Sequence, residues 1–86
     1  MSNCPFTEVE MNNIAVNLKN FRTYYDLSAA IVAYDIGISK TTYYKYETTG
    51  KISRELLNKF CMYYEVEPSF MLGPWVNICR YCFWGY

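Results

Sequence analysis

The chain has 86 residues, with eight basic and eight acidic side chains, no histidine and 20% aromatic residues. This length is typical of one domain with one small core, and no apolar run approaches the roughly 18 residues that cross a bilayer. Without histidine, Ser-His, Cys-His and His-ligated metal chemistry are excluded, so we expect no enzyme, no cofactor and no small-molecule substrate. The first five residues lack the basic and apolar regions of a secretion signal, which favours a cytoplasmic protein.

The charge is unevenly distributed along the chain. Residues 14–60 carry seven basic and four acidic groups, a net charge of +3, whereas residues 1–13 carry −2 and residues 61–86 carry −1. Between positions 40 and 54, Glu47 is the one acidic residue beside four basic ones, namely Lys40, Lys45, Lys51 and Arg54. A basic middle with acidic ends is compatible with a nucleic-acid-binding face, and also with an ordinary solvated surface of mixed charge.

The first two predicted helices lie between residues 12 and 35. Apolar side chains recur at spacings of 4, 3 and 4, which predicts an amphipathic helix over 12–25; these residues are Ile14, Leu18, Phe21 and Tyr25. Ser28 is placed to cap a second helix over 29–35. Gly37 follows at a position where helices commonly end with positive φ.

A third helix is predicted over 40–47, with Ser39 as its N-cap. The i, i+3 spacing of Tyr43 and Tyr46 turns both rings toward the core and leaves the other face to polar and basic side chains. The tripeptide at 48–50 is expected to break this helix.

Two further helices complete the predicted bundle. Ser53 is placed to cap a helix over 54–64, which carries an apolar stripe. Pro68 is typical of a first helical position and starts a short helix over 68–72. The expected class is therefore all-α, with five short helices joined by tight turns.

Three regions are predicted in the chain. Residues 1–11 form an N-terminal arm, 12–73 the helical domain, and 74–86 an aromatic C-terminal tail. If exposed to water, this many aromatic side chains would form a large hydrophobic patch. The tail is therefore expected to be buried on its own bundle or against a partner. We predict a homodimer in which the contact residues include Trp75, Tyr81, Phe83 and Trp84.

Helices two and three form the pair that bears most directly on function. Joined by a turn with a glycine, they can cross steeply, so that the second is presented outward in the manner that fits a DNA major groove. Residues 14–72 resemble the helix-turn-helix domain of the Cro/CI (XRE) transcriptional regulators. The matching residues are Leu27, Ser28, Val32, Ala33, Ile36, Gly37, Ile38, Ser39, Tyr43, Tyr46, Glu47, Ile52, Ser53, Leu57, Val66, Met71 and Leu72.

The resemblance implies a lambda-repressor-like bundle that binds double-stranded DNA as a dimer. The start of the third helix reads base edges in that family, and the residues at the corresponding exposed positions are Lys40, Thr41, Tyr44 and Lys45. The implied phosphate contacts are Ser28, Ala29, Thr42, Lys51 and Arg54. The expected function is that of a phage- or mobile-element-type repressor on a palindromic operator.

Three departures from the family pattern support an alternative. The family often has glutamine where this chain has Ala29, Gly50 comes one residue late, and the second helix carries Asp35 without a basic group. The alternative function is a protein-binding module, an antirepressor or inhibitor, built on the same helices without operator binding.

The cysteines permit one metal-site hypothesis. Cys79 and Cys82 have the spacing of half a zinc site, for which Cys4 and Cys61 are the remaining candidate ligands. Structural zinc sites normally contain two close pairs, or one pair with histidines. The sequence therefore favours no metal and four reduced thiols that act as small apolar residues.

Overall fold

The computed structural model describes residues 5–75, and within that range the chain forms five α-helices and no strand. The helices are α1 (Glu8–Tyr24), α2 (Ala29–Ile36), α3 (Lys40–Thr49), α4 (Arg54–Tyr64) and α5 (Pro68–Leu72). The all-α class and the small helical bundle are confirmed. None of the five helices is both long enough and apolar enough to cross a membrane.

Helix α1 begins four residues earlier than predicted, so the predicted start at residue 12 is wrong. Thr7 and Glu10 form a capping box at this end of the helix. The Glu10 amide donates to Thr7 Oγ1 at 3.1 Å, and the Thr7 amide donates to Glu10 Oε1 at 2.9 Å. Phe6, just before the cap, is buried in the core. The second half of the predicted arm, 1–11, is therefore part of the bundle.

The predicted serine caps are confirmed at three helices. The hydroxyls of Ser28, Ser39 and Ser53 each accept the backbone amide three residues ahead, at 3.1, 3.1 and 3.2 Å. Gly37 ends α2 with φ of +95°, the left-handed conformation expected there. Local hydrogen bonds of serine thus fix where α2, α3 and α4 begin.

Helix α3 continues two residues beyond its predicted end. The Thr48 and Thr49 hydroxyls donate to the carbonyls of Tyr44 and Lys45 at 2.9 and 2.8 Å. These bonds satisfy the hydroxyls inside a helix instead of ending it. The helix stops at Gly50, where φ is +70°.

The core is formed where α1 packs against α3 and α5, and where α2 packs against α3 and α4. Aromatic rings join α1 to the C-terminal half of the bundle. Phe21 stacks on Tyr64 with the ring centroids 4.8 Å apart, and Trp75 meets the Phe21 ring edge-on at 5.1 Å. Trp75 therefore packs on its own bundle.

Two asparagines of α1 hold the C-terminal end of α5. The Asn17 amide nitrogen donates to the carbonyls of Met71 at 2.7 Å and Gly73 at 2.9 Å, and Asn13 donates to that of Leu72 at 2.9 Å. The last carbonyls of a helix have no intrahelical partner, and a five-residue helix has little stability of its own. Asn17 is fully buried, and its bond to the Met71 carbonyl is buried as well.

We expect Asn17→Ala to lower the free energy of unfolding by about 2–3 kcal/mol, because it leaves the buried Met71 carbonyl of α5 without its donor and removes the bond to the Gly73 carbonyl. Urea denaturation followed by circular dichroism measures this loss. Asn12→Ala, at an exposed position of the same helix, is the matched control and is expected to change stability by less than about 0.5 kcal/mol. Equal losses in the two variants would contradict the assigned role of Asn17.

Several ionisable groups in the core or packed against it have raised pKa values, which favours their protonated form. Burial raises the pKa of the Cys61 thiol to about 11. Burial and the hydrogen bond that the Tyr63 hydroxyl donates to Asp35 at 2.6 Å raise the pKa of Tyr63 to about 12. Burial also raises the pKa values of Tyr43 and Tyr64. Each of these groups loses its proton more readily in the unfolded chain.

Stability is consequently expected to fall as the pH rises above about 9, where the Cys61 thiol ionises in the unfolded but not in the folded state. The contribution is complete below that pH and is lost as the pH approaches about 11. Thermal unfolding between pH 7 and 11 measures the decline, which we expect to be on the order of 1–3 kcal/mol for this thiol. Cys61→Ala removes this part of the pH dependence, so an unchanged slope in that variant would contradict the interpretation.

Candidate nucleic-acid interface

Helix α3 is held to the bundle through one face by three different contacts. Tyr43 is fully buried, with its ring centroid 5.9 Å from that of Phe60 on α4. Glu47 forms an ion pair with Arg22 of α1. At the end of the helix, Gly50 is buried against the backbone of α1. This attachment leaves the opposite face of α3 free for a ligand.

The ion pair between Arg22 and Glu47 is bidentate and largely removed from water. Arg22 Nε donates to Glu47 Oε2 at 2.6 Å, and Nη2 donates to Oε1 at 3.3 Å. The side chains of Arg22 and Glu47 are 20% and 7% exposed, and the hydrogen bond to Glu47 raises the pKa of Arg22. Arg22 Nη1 also donates to the Leu27 carbonyl at 3.3 Å. One guanidinium thus fixes α3 and the turn before α2 relative to α1.

The four residues predicted to contact bases are all exposed on α3; they are Lys40, Thr41, Tyr44 and Lys45. Within residues 5–75, neither of these lysines is ion-paired. Because Glu47 turns inward to Arg22, the exposed face of α3 carries basic and neutral side chains only. The positive charge of this surface is therefore not offset by the one acid of the helix.

Thr48 extends the same face by one turn. It is exposed and lies four residues after Tyr44, whose carbonyl accepts its hydroxyl at 2.9 Å. Thr48 is not among the predicted contacts, because α3 was predicted to end at Glu47. Its spacing of four residues from Tyr44 is the sequence feature that places Thr48 on this face.

Two of the predicted phosphate contacts lie at the N-terminus of α2. Ser28 is exposed, and its hydroxyl accepts the Ile31 amide while its own proton remains available to a ligand. The Ala29 side chain is buried, so Ala29 can contribute only its backbone amide. The first amides of a helix have no intrahelical acceptor and favour an anion.

The other three predicted phosphate contacts differ in whether their side chains already contact another part of the bundle. Thr42 is half-buried, and its hydroxyl accepts that of Ser39 at 2.8 Å, so it belongs to the cap of α3. The Arg54 guanidinium lies 5.3 Å from the centroid of the Phe6 ring, a cation–π contact. Lys51 is exposed and not ion-paired within the described part of the chain. Lys51 is thus more available than Arg54 to bind a phosphate near the C-terminal end of α3.

The remaining predicted site residues are placed as follows. Tyr81, Phe83 and Trp84 of the predicted dimer contact lie outside the described residues, as do the thiols of Cys4, Cys79 and Cys82. The thiol of Cys61 is buried. Among residues 5–75, no three histidine, cysteine, aspartate or glutamate side chains come together as a metal site would require.

Comparison with known proteins finds no match: no family model fits the chain, and no curated protein or solved structure is significantly similar to it. The interpretation of α2 and α3 as a DNA-reading pair therefore depends on the residues and the geometry of this chain. Those are the short turn after Ile36, the buried face of α3 and its exposed basic side chains.

Proposed function

We propose that this protein is a sequence-specific DNA-binding transcriptional regulator, a phage- or mobile-element-type repressor that acts in the cytoplasm without a cofactor. The observation that carries the proposal is the exposed surface of α3, where Lys40 and Lys45 form no ion pair with any residue of 5–75 and Glu47 is paired with Arg22. A short, firmly anchored helix with cationic and hydroxyl side chains on its outer face suits a major groove about 12 Å wide.

In this proposal the protein binds a palindromic operator as a homodimer. The α3 helices of the two copies enter successive major grooves about 34 Å apart. Lysine side chains donate to guanine O6 and N7, and Thr41 contacts base edges through its hydroxyl and methyl groups. Ser28, the first amides of α2 and Lys51 hold the phosphates that flank each groove. Occupation of the operator then blocks the polymerase.

The class of function is tested by titrating the full chain against DNA from its own promoter region at two salt concentrations. We expect preference for one duplex over random DNA of the same length, with affinity that falls steeply as salt rises. Sedimentation of the complex with that duplex is expected to give two protein chains per site. Absence of binding even at low salt would contradict the proposal.

Lys45→Ala is expected to weaken binding to the preferred duplex by about 1–3 kcal/mol if Lys45 contacts a base, with a much smaller loss on random DNA. Fluorescence anisotropy with the two duplexes measures both losses. Lys59→Ala is the matched control, because it removes an exposed lysine from α4 instead of α3. Equal losses on both duplexes for Lys45→Ala would assign this lysine to the phosphate backbone.

The second candidate function is a protein-binding module, such as an antirepressor or inhibitor. Its support is two large side chains exposed outside α3, namely Tyr34 of α2, which is 85% exposed, and Met62 of α4, which is 78% exposed. Exposed apolar side chains of this size are typical of protein contacts when they cluster. Under this function the chain binds no duplex at low salt, and Tyr34→Ser abolishes capture of the partner while Lys45→Ala does not.

A further inference from the structure

A groove of about 490 Å³ opens between the C-terminal ends of α1 and α4 and the start of α5. Aromatic and aliphatic side chains form its floor, and two carboxylates and a hydroxyl lie at its rim. The lining residues are Tyr25, Tyr64, Glu65, Val66, Glu67, Ser69 and Phe70. Part of the floor is the stack of Tyr25 on Tyr64, with centroids 5.8 Å apart.

The aromatic rings and carboxylates of the groove indicate the kind of segment that it can bind. An aromatic floor favours apolar and aromatic groups, and it also attracts a cation placed over a ring. Glu65 and Glu67 are exposed and not ion-paired within the described part of the chain. An occupant that combines several aromatic side chains with one positive charge is therefore complementary to it.

The chain itself supplies such a segment next to the groove. Trp75 packs on Phe21 and lies 6.5 Å, centroid to centroid, from Phe70, which also lines the groove. The residues that follow, 76–86, include eight hydrophobic side chains, and Arg80 is their one charged side chain. Arg80 is the fifth residue after Trp75, so the two can lie up to about 18 Å apart in an extended chain.

We propose that this groove binds residues 76–86 of the same chain, with Arg80 at the Glu65 and Glu67 rim and aromatic side chains on the floor. Attachment at Trp75 gives the segment an effective concentration in the millimolar range or above, which favours the same chain over a second copy. The inference is independent of DNA binding. It assigns Tyr81, Phe83 and Trp84 to the covering of their own bundle instead of the predicted dimer contact.

Fluorescence of the full chain tests the proposal. Trp75→Phe keeps an aromatic ring at the anchor and leaves Trp84 as the sole tryptophan. We expect Trp84 emission at short wavelength and quenching by iodide several-fold weaker than in the urea-unfolded chain. Both are expected to stay constant when the protein is diluted a hundredfold. Unprotected Trp84, or protection that disappears on dilution, would overturn the proposal, the second result because it indicates exchange between copies.

Charge reversal identifies the groove as the binding site. In the Trp75→Phe background, Arg80→Glu is expected to expose Trp84 to iodide, and addition of Glu67→Arg is expected to restore its protection. Glu67 gives no side-chain hydrogen bond to cap α5, so its replacement leaves that helix intact. Glu55→Arg, at the far end of α4, is the matched control and is expected not to restore protection. Protection that ignores the charge at Arg80, or rescue by Glu55→Arg equal to that by Glu67→Arg, would show that the tail lies elsewhere.

Discussion

Gly50→Ala is expected to lower the free energy of unfolding by more than about 4 kcal/mol, or to prevent folding. A Cβ atom at residue 50 would lie 1.9 Å from the Met11 carbonyl oxygen and 2.6 Å from its carbonyl carbon. Both atoms belong to the backbone of α1, so the overlap is relieved only if α1 moves away from α3. The φ of +70° adds the strain of a left-handed residue with a side chain. Circular dichroism during urea titration measures the loss.

Gly37→Ala is the control that shows how much of the loss in Gly50→Ala comes from atomic overlap and how much from backbone strain. Gly37 has φ of +95°, and a Cβ atom there meets nothing within 4 Å. Its replacement is therefore expected to cost only the conformational strain, about 1–2 kcal/mol. If the two alanine variants lost the same stability, the close approach of α1 to α3 would not be what requires glycine at Gly50.

The fold was predictable where the determining interactions are local. The hydroxyls of Ser28, Ser39 and Ser53 bond to amides three residues away, and Pro68 restricts its own φ, so short stretches of sequence identify these helix starts. The start of α1 was equally local, since Thr7-x-x-Glu10 is a capping-box pattern. It was missed because the two glutamates were interpreted as charges of an arm.

The interactions between distant residues were not predictable from the sequence. Asn17 contacts carbonyls 54 and 56 residues away, and Arg22 pairs with Glu47 across 25 residues. Nothing in the neighbourhood of either residue indicates its partner, because the helix packing brings them together. An asparagine on the apolar side of a helix identifies a buried polar group without saying what it binds.

The candidate site illustrates both situations. The exposed positions of α3 follow from helical spacing once Tyr43 is assigned to the core, and all four predicted residues are exposed. The inward turn of Glu47 depends on Arg22 in another helix, and it decides the charge of the outer face. The exposed residues of α3 were therefore predictable from the sequence. The orientation of Glu47, and with it the charge of the exposed surface, was not.

Glu47→Ala is expected to cost about 3–4 kcal/mol of stability, because it leaves the mostly buried Arg22 guanidinium without its carboxylate. The loss should appear as a lower urea midpoint with an unchanged dependence on urea concentration. Glu55→Ala, which removes an exposed glutamate from α4, is the control and is expected to change stability by less than about 0.5 kcal/mol.

The double variant Arg22→Met with Glu47→Leu tests whether the loss comes from an unpaired charge or from missing contacts. Apolar side chains of similar length fill the same space and leave no charge to be solvated, so the double variant is expected to be clearly more stable than Glu47→Ala. If it were no more stable than that variant, the ion pair itself, with its bond to the Leu27 carbonyl, would hold α3 in place. Recovery of stability in the double variant, which we expect, would show that packing around Tyr43 holds α3 in place. The role of the ion pair would then be to turn the one acid of the helix away from its exposed face.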